Sequence, residues 1–282
     1  MASTDSSGIS FTAYYTGEVW RQHGLSSEAF NTTQGKTLYY LGQPFEKFAR
    51  AVAGFSTQTT LLQRHHMIDE VVRKAITEQG VTQIVEIACG LSPRGVRFCQ
   101  EFPDLQYVEA DLPAMLAHKE KLLAENGLLT ANHRVVGINI LEESTPDALA
   151  VVFQRELDPT RKTLVITEGL INYFDYQTIS IFWRNLAQVL RQFPAGGYVT
   201  DLYPNFQWHP MNRLISTFIH GLAFATKSSV TLHFKSQQAI VDGFGQLGFA
   251  KTTVHIPESY YGVLPIPTQR MASLVRVVEN WV

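Results

Sequence analysis

The sequence predicts an α/β fold: a seven-stranded, mostly parallel sheet with helices on both faces, an antiparallel C-terminal edge and an N-terminal helical cap. Three observations predict it. Between residues 83 and 202, short alternating apolar runs are separated by longer stretches with helical spacing. The first of these runs, in "IVEIACGLSPRGVRF" (84–98), passes straight into a turn built of small residues, two glycines and a proline. The tail holds two β-rich runs, and the Pro-rich loop between them, 257–267, is too short for a crossover helix. Strands alternating with helices give a parallel sheet with right-handed connections, and strands joined by a short loop pair antiparallel.

In chain order, residues 11–80 read as helices: "FTAYYTGEVWRQ", "KTLYYLGQPFEKFARAVAG" and "TTLLQRHHMIDEVVRKAITEQG". In the third, Leu61, Leu62, His65, Ile68, Val72 and Ile76 recur at helical spacing, and Gly80 stops the helix. Residues 1–80 are therefore expected to form a cap or lid, and residues 81–282 the ligand-binding domain. Strand candidates are "QIVEIA" (83–88), "QYVEAD" (106–111), "RVVGIN" (134–139), "TLVITE" (163–168) and "GYVTDL" (197–202). Helical stretches at 113–125 and 175–192 lie between them; in the second, Ile179, Phe182, Leu186 and Val189 make one apolar stripe. A helix around 236–247 precedes "FAKTTVHI" and "MASLVRVVE", the antiparallel pair.

Composition excludes several function classes. The 282 residues are 45% hydrophobic and 17% charged with a net charge of −2, so a phosphate backbone gains no general attraction. The longest basic cluster is Arg73-Lys74, and no nucleic-acid partner is expected. No run of about 18 uncharged apolar residues marks a membrane span. The start "MASTDSSGISFTAYY" lacks a basic segment followed by an apolar one, so a cytoplasmic location is expected. Cys89 and Cys99 do not make a disulfide framework, and Cys89 reads as packing rather than as a nucleophile. No metal is expected: His65 and His66 point apart on a helix and lack partners at ligand spacing. Ser92 lacks a Gly-x-Ser-x-Gly elbow. The expected partner is a small molecule, with the oligomeric state open.

The glycine turn points to the ligand. Gly90 ends the first strand and Gly95 opens the next helix, so a ligand can approach the backbone and free N–H groups. A Walker loop needs Gly-Lys-Ser/Thr, and Val96 follows Gly95; a GxGxxG fingerprint needs glycine at Ser92. The remaining class is a nucleoside carrying an amino acid, S-adenosylmethionine. Its site needs a close glycine turn, an acid after strand two for the ribose and a polar group after strand three for adenine. Glu109 and Asp111 end strand two, Asn139 ends strand three and Glu168 ends strand four. Gly90, Asp111, Asn139 and Glu168, with Glu86, Ala88, Leu112, Ile140 and Gly169 beside them, form the expected cofactor-binding set.

The run "TTLLQRHHMID…IVEIACGLSPRG…YVEADLPAMLAHKEKLL…TLVITEGLINYF" resembles the leucine carboxyl methyltransferase family of class I S-adenosylmethionine-dependent methyltransferases, over roughly residues 55–250. Its most specific parts are Asp111-Leu112-Pro113 with Lys119 downstream, and Glu168-Gly169-Leu170 followed by Tyr173. The resemblance implies a Rossmann-like methyltransferase fold and, from bacterial members, a place in natural-product metabolism. It also implies Arg64 on the methionine carboxylate, Asp111 on the ribose and Glu168 near the methionine amine. A guanidinium suits a carboxylate, and a carboxylate suits an ammonium.

The chain departs from the family pattern at three places. The loop Gly90-Leu91-Ser92-Pro93 replaces Gly-(Leu/Met)-Asp-Thr, Ile138-Asn139-Ile140 replaces Ala-Asp-Leu, and "NYFDY" sets Tyr173, Phe174 and Tyr176 beside the expected sulfonium. Asn139 and Tyr176 are placed as in a small group of bacterial azetidine-2-carboxylate synthases that share this fold. Two reactions are thus carried forward. In one, the methionine amine displaces methylthioadenosine to close azetidine-2-carboxylate, with Asn139, Tyr176 and Tyr173 as catalytic residues; the departures favour this one. In the other, a carboxyl O-methyltransferase acts on a small-molecule acid or a carrier-bound intermediate. The acceptor pocket of the second would lie under residues 203–235.

Overall fold

The computed structural model describes residues 7–54, 56–205, 231–269 and 272–282. Three helices come first: α1 (Ser7–Gln22), α2 (Thr33–Ala53) and α3 (Thr57–Thr77). The starts of α2 and α3 are set by side chains that accept a backbone N–H three residues on, Thr32 from Gly35 and Ser56 from Thr59. The sheet then builds as β1 (Gln83–Ile87), α4 (Arg94–Glu101), β2 (Gln106–Asp111), α5 (Pro113–Glu125), β3 (His133–Gly137), α6 (Leu149–Glu156) and β4 (Thr163–Thr167). It closes with α7 (Tyr176–Leu190), β5 (Gly196–Leu202), α8 (Gln237–Gln246), β6 (Lys251–His255) and β7 (Arg276–Trp281).

The seven strands run in the order β3-β2-β1-β4-β5-β7-β6. The first five pair in parallel, and β7 pairs antiparallel with both β5 and β6. This is the predicted sheet, with the last strand inserted between its two neighbours. The order reverses between β1 and β4, and in such sheets ligands bind beyond the carboxyl ends of the strands at that switch point. The third strand is shorter than the 134–139 run predicts. Asn139 lies beyond it, in an isolated bridge to Ala148.

Period-two alternation divides the strand side chains between two cores. Ile84, Tyr107, Ile166, Val199 and Val277 face α3, where Met67, Ile68, Val71 and Val72 are buried against them. Val85, Val108, Val165, Tyr198 and Val278 face α7, whose Ile179, Phe182, Trp183 and Leu186 fill the other side. Fully burying each such aliphatic side chain contributes about 1.5–3 kcal/mol. Within the helical segment 1–80, α3 thus belongs to the core layer through its apolar stripe. Helix α1 instead lies over the glycine turn: Ala13 and Tyr14 pack on the cluster of Leu91, Val96 and Met115.

Candidate functional site

The turn after β1 is forced into unusual backbone. Ala88 has φ of 55° and Gly90 φ of 49°, both left-handed. A non-glycine residue rarely takes that conformation, and it concentrates at functional turns. A Cβ on Gly90 would meet Ala13 Cβ at 3.2 Å, so α1 closes directly over the turn. Gly95 has a different reason from the one the sequence suggests. A Cβ there would lie 2.3 Å from Glu109 Oε1 and 2.7 Å from His133 Nε2, so Gly95 lets α4 approach the sheet rather than opening the backbone to a ligand.

Asp111 ties the turn to the end of β2. Its Oδ2 accepts from the Gly90 N–H at 2.8 Å and its Oδ1 from the Leu112 N–H at 2.7 Å. Burial raises its carboxyl above the ordinary range, while those amides and Lys119 pull it back. Behind the turn, Lys119 Nζ reaches Glu109 at 2.8 Å and the Ser92 carbonyl at 2.9 Å, both side chains fully buried. Glu109 is held below the usual range because Lys119 and His133 outweigh burial. Burial pushes the Cys89 thiol well up, which keeps it a packing residue.

The ends of β1, β4 and β5 share a buried ion network. Arg64 Nε donates to Glu168 Oε1 at 2.9 Å, and its Nη1 reaches Asp201 Oδ2 at 3.4 Å. Arg94, from the first turn of α4, donates to Asp69 at 2.7 Å, to Glu168 at 2.6 Å and to Glu86. Glu86 also accepts from the Tyr107 hydroxyl at 2.7 Å, so both its oxygens are used inside the protein. His65 Nδ1 lies 2.9 Å from Glu168 Oε2, and its ring packs against Trp20, centroids 4.6 Å apart and tilted by 40°. Burial opposes ionisation of Glu168, but His65, Arg94 and Arg64 hold it well below the usual carboxylate range. Gly169 has φ of 69°, donates to Asp201 at 2.6 Å and leaves room for the Arg64 fork, which a Cβ would approach to 2.8 Å.

The remaining expected residues lie around this network. The Asn139 Oδ1 accepts from the Leu141 N–H at 3.1 Å, which leaves the amide nitrogen and a second oxygen lone pair to meet a ligand. Ile140 packs on the larger core, and Leu112 opens α5. The Tyr173 hydroxyl donates to Thr12 of α1 at 3.3 Å. Tyr176 turns away from Tyr173: it is 40% exposed, and its ring meets Phe234 at 6.0 Å, His233 at 6.1 Å and Trp183 at 6.4 Å. Most of the expected acceptor segment, 206–230, lies outside the described residues. Among the described residues no metal-ligand cluster is present, and no helix is long and apolar enough to cross a membrane.

Sequence reasoning missed Asp69, Arg94, Asp201 and Tyr203. Asp201 was accessible by carrying the strand-end rule one strand further, since "YVTDL" ends β5 with it. Tyr203 lies beside Arg64, and burial pushes its hydroxyl up to about 12. Asp69 and Arg94 carry no local signal, because their pairing crosses 25 residues of sequence.

Fold and site together define a doubly wound α/β protein with a polar, glycine-turned site at its switch point. The family model for leucine carboxyl methyltransferase matches residues 28–187, more than half of the chain. The chain belongs to that family. Among curated proteins it is 32% identical over 128 residues to a candidate S-adenosyl-L-methionine-dependent methyltransferase of Mycobacterium marinum, covering 45% of this chain. The match spans only 40% of that relative's length. Among solved structures, a DUF574 family protein from Streptomyces avermitilis aligns with a TM-score of 0.63 at 12% identity, covering 95% of this chain and 96% of that one. A candidate methyltransferase from Thermobifida fusca aligns with a TM-score of 0.60 at 14% identity, over 94% and 93% of the two chains. Both likenesses support the fold alone.

Proposed function

We propose that the protein binds S-adenosylmethionine at the β1–β4 switch point and closes it, as sole substrate, to azetidine-2-carboxylate with release of methylthioadenosine. In this reading Asp111 takes the ribose, Asn139 the adenine edge or the amino-acid end, and Arg64 the methionine carboxylate. The neutral α-amine attacks the methionine γ-carbon. The Cγ–S bond breaks with its electron pair passing to sulfur, and the ring nitrogen keeps both its protons as a secondary ammonium.

One observation carries the proposal: the uncharged Asn139, standing where the family pattern has an acid, already accepts from Leu141 with its oxygen. It is an uncharged acceptor, and it favours the charged, unreactive ammonium less than a carboxylate in its place would. Glu168 and Asp201 are both engaged by Arg64. A model α-amine titrates near pH 8, so a neutral fraction is available near neutrality. An aromatic face such as that of Tyr173, which lies near Arg64 and Thr12, favours a sulfonium by about 0.5–2 kcal/mol when desolvated. Four-membered ring closure is strained, so orientation and exclusion of water must supply most of the acceleration. Natural-product metabolism fits a product of this kind.

The family match favours a second reading, a carboxyl O-methyltransferase that needs a small acid or a carrier-bound intermediate and yields S-adenosylhomocysteine. The purified protein is incubated with S-adenosylmethionine alone and the products identified. Methylthioadenosine with azetidine-2-carboxylate, above the spontaneous background and lost in Tyr173→Ala, is the expected result. S-adenosylmethionine that stays intact until a carboxylic acid is added, then gives S-adenosylhomocysteine, overturns the cyclase.

A further inference from the structure

Away from the glycine turn, a cavity of about 470 Å³ lies between the ends of α1 and α2, one face of α3 and residues 265–268. That is the size range of small-molecule pockets. Three nitrogen-bearing side chains converge on it from three elements: His23 just past α1, Arg50 in the last turn of α2 and His66 on α3. Their donors are almost uncommitted. Arg50 makes one 3.4 Å hydrogen bond to Ser56 Oγ and no ion pair among the described residues, and no hydrogen bond there holds either imidazole. None of the lining residues is acidic. Leu62, one helical turn from His66 on the same face of α3, forms an apolar wall with Ile266 and Pro267.

A guanidinium without a carboxylate partner, flanked by two imidazoles and an apolar wall, is complementary to an anion with an apolar body. We infer that this cavity binds a small organic carboxylate, its carboxylate on Arg50 between His23 and His66 and its apolar portion against Leu62 and Ile266. Burial lowers the basicity of both imidazoles, helped by Arg50 at His23 and by His65 at His66. Near neutrality Arg50 is then the one permanent positive charge on the lining, which suits a monoanion better than a phosphate dianion. The site is distinct from the ion network. His65 faces Arg94 and Glu168, whereas its neighbour His66 faces the cavity.

The test is calorimetry on the full chain with octanoate, its neutral counterpart octanamide and inorganic phosphate. Octanoate is expected to bind saturably, with octanamide and phosphate at least about tenfold weaker. Arg50→Gln should weaken octanoate about tenfold or more, the scale of a lost charge-assisted hydrogen bond. His66→Gln should weaken it by a smaller factor. Both variants should keep the wild-type melting temperature and S-adenosylmethionine affinity, which separates this result from failure at the glycine turn. Absence of saturation, equal binding of octanamide, tighter binding of phosphate, or an unchanged octanoate affinity in Arg50→Gln overturns the assignment. Displacement of octanoate by S-adenosylmethionine overturns it too, by placing the anion in the other site.

Discussion

At Asn139 a single heavy atom separates two chemistries. An aspartate there would supply the anionic acceptor that the amide lacks and would hold a nearby ammonium protonated. On the cyclase reading, Asn139→Asp is expected to slow ring closure by at least about tenfold, with S-adenosylmethionine bound no more weakly than by the wild type, since the added charge favours the ammonium form. Single-turnover rates and calorimetry separate the two effects; an unchanged rate removes Asn139 from the mechanism. Asp111 is engaged by the amides of Gly90 and Leu112, so it both shapes the turn and presents its remaining lone pairs. Asp111→Ala should cost at least about tenfold in S-adenosylmethionine affinity, the scale of a charged hydrogen-bonding partner removed from two hydroxyls. Unchanged binding by calorimetry would refute the ribose assignment.

At the scale of the element, the β1–α4 junction depends on close packing. Gly95 lies against Glu109 and His133, and Glu109 pairs with both His133 and Lys119 from α5, so α4, β2, β3 and α5 meet around one missing Cβ. The obstruction is a fully buried carboxylate rather than the loose end of a surface side chain. Gly95→Ala should therefore destabilise the fold by about 1–3 kcal/mol, the usual cost of overpacking, despite the better helix propensity of alanine. Urea denaturation measures this, and a stabilised variant would show that α4 can shift outward freely. Helix α1 is a contrasting element. It reaches the turn through Ala13 and reaches Tyr173 through Thr12, so its seating over Gly90 couples the cover to the site.

Over the whole molecule, the buried network makes stability depend on acid. Glu168 and Asp69 are both depressed below their ordinary values, because neighbouring His65 and arginines outweigh burial. A carboxylate depressed in the folded state contributes stability above its unfolded value, near pH 4, that is lost as pH falls through the folded value. His66 is also depressed, so its contribution is present above about pH 6.5 and lost as pH falls through its folded value. The melting temperature should thus decline gently below about pH 6.5 and steeply below about pH 4. Glu168→Gln should flatten the steep limb even though it melts lower at neutral pH. An unaltered acid slope in that variant would show that Glu168 is not ionised in the fold.

The strand–helix alternation, the glycine turn and the polar strand ends are local signals, so the seven strands, the antiparallel edge and the positions of Asp111, Asn139 and Glu168 were legible in the chain itself. Period-two burial explains why: the parallel strands are covered on both faces, and their apolar runs stand out from the helices between them. Three features were not legible. The sequence has no term for pairing across long separations, so Arg64 with Glu168 and Asp201, and Arg94 with Asp69 and Glu86, emerge only when the strand ends converge. Nor can it show that Gly95 faces a carboxylate, because that depends on how closely a helix meets the sheet. Likewise His65 and His66 are neighbours in sequence with equal chemistry. Only the packing of α3 turns one into a buried ion network and the other toward an anion-sized cavity, since adjacent helical residues point about 100° apart.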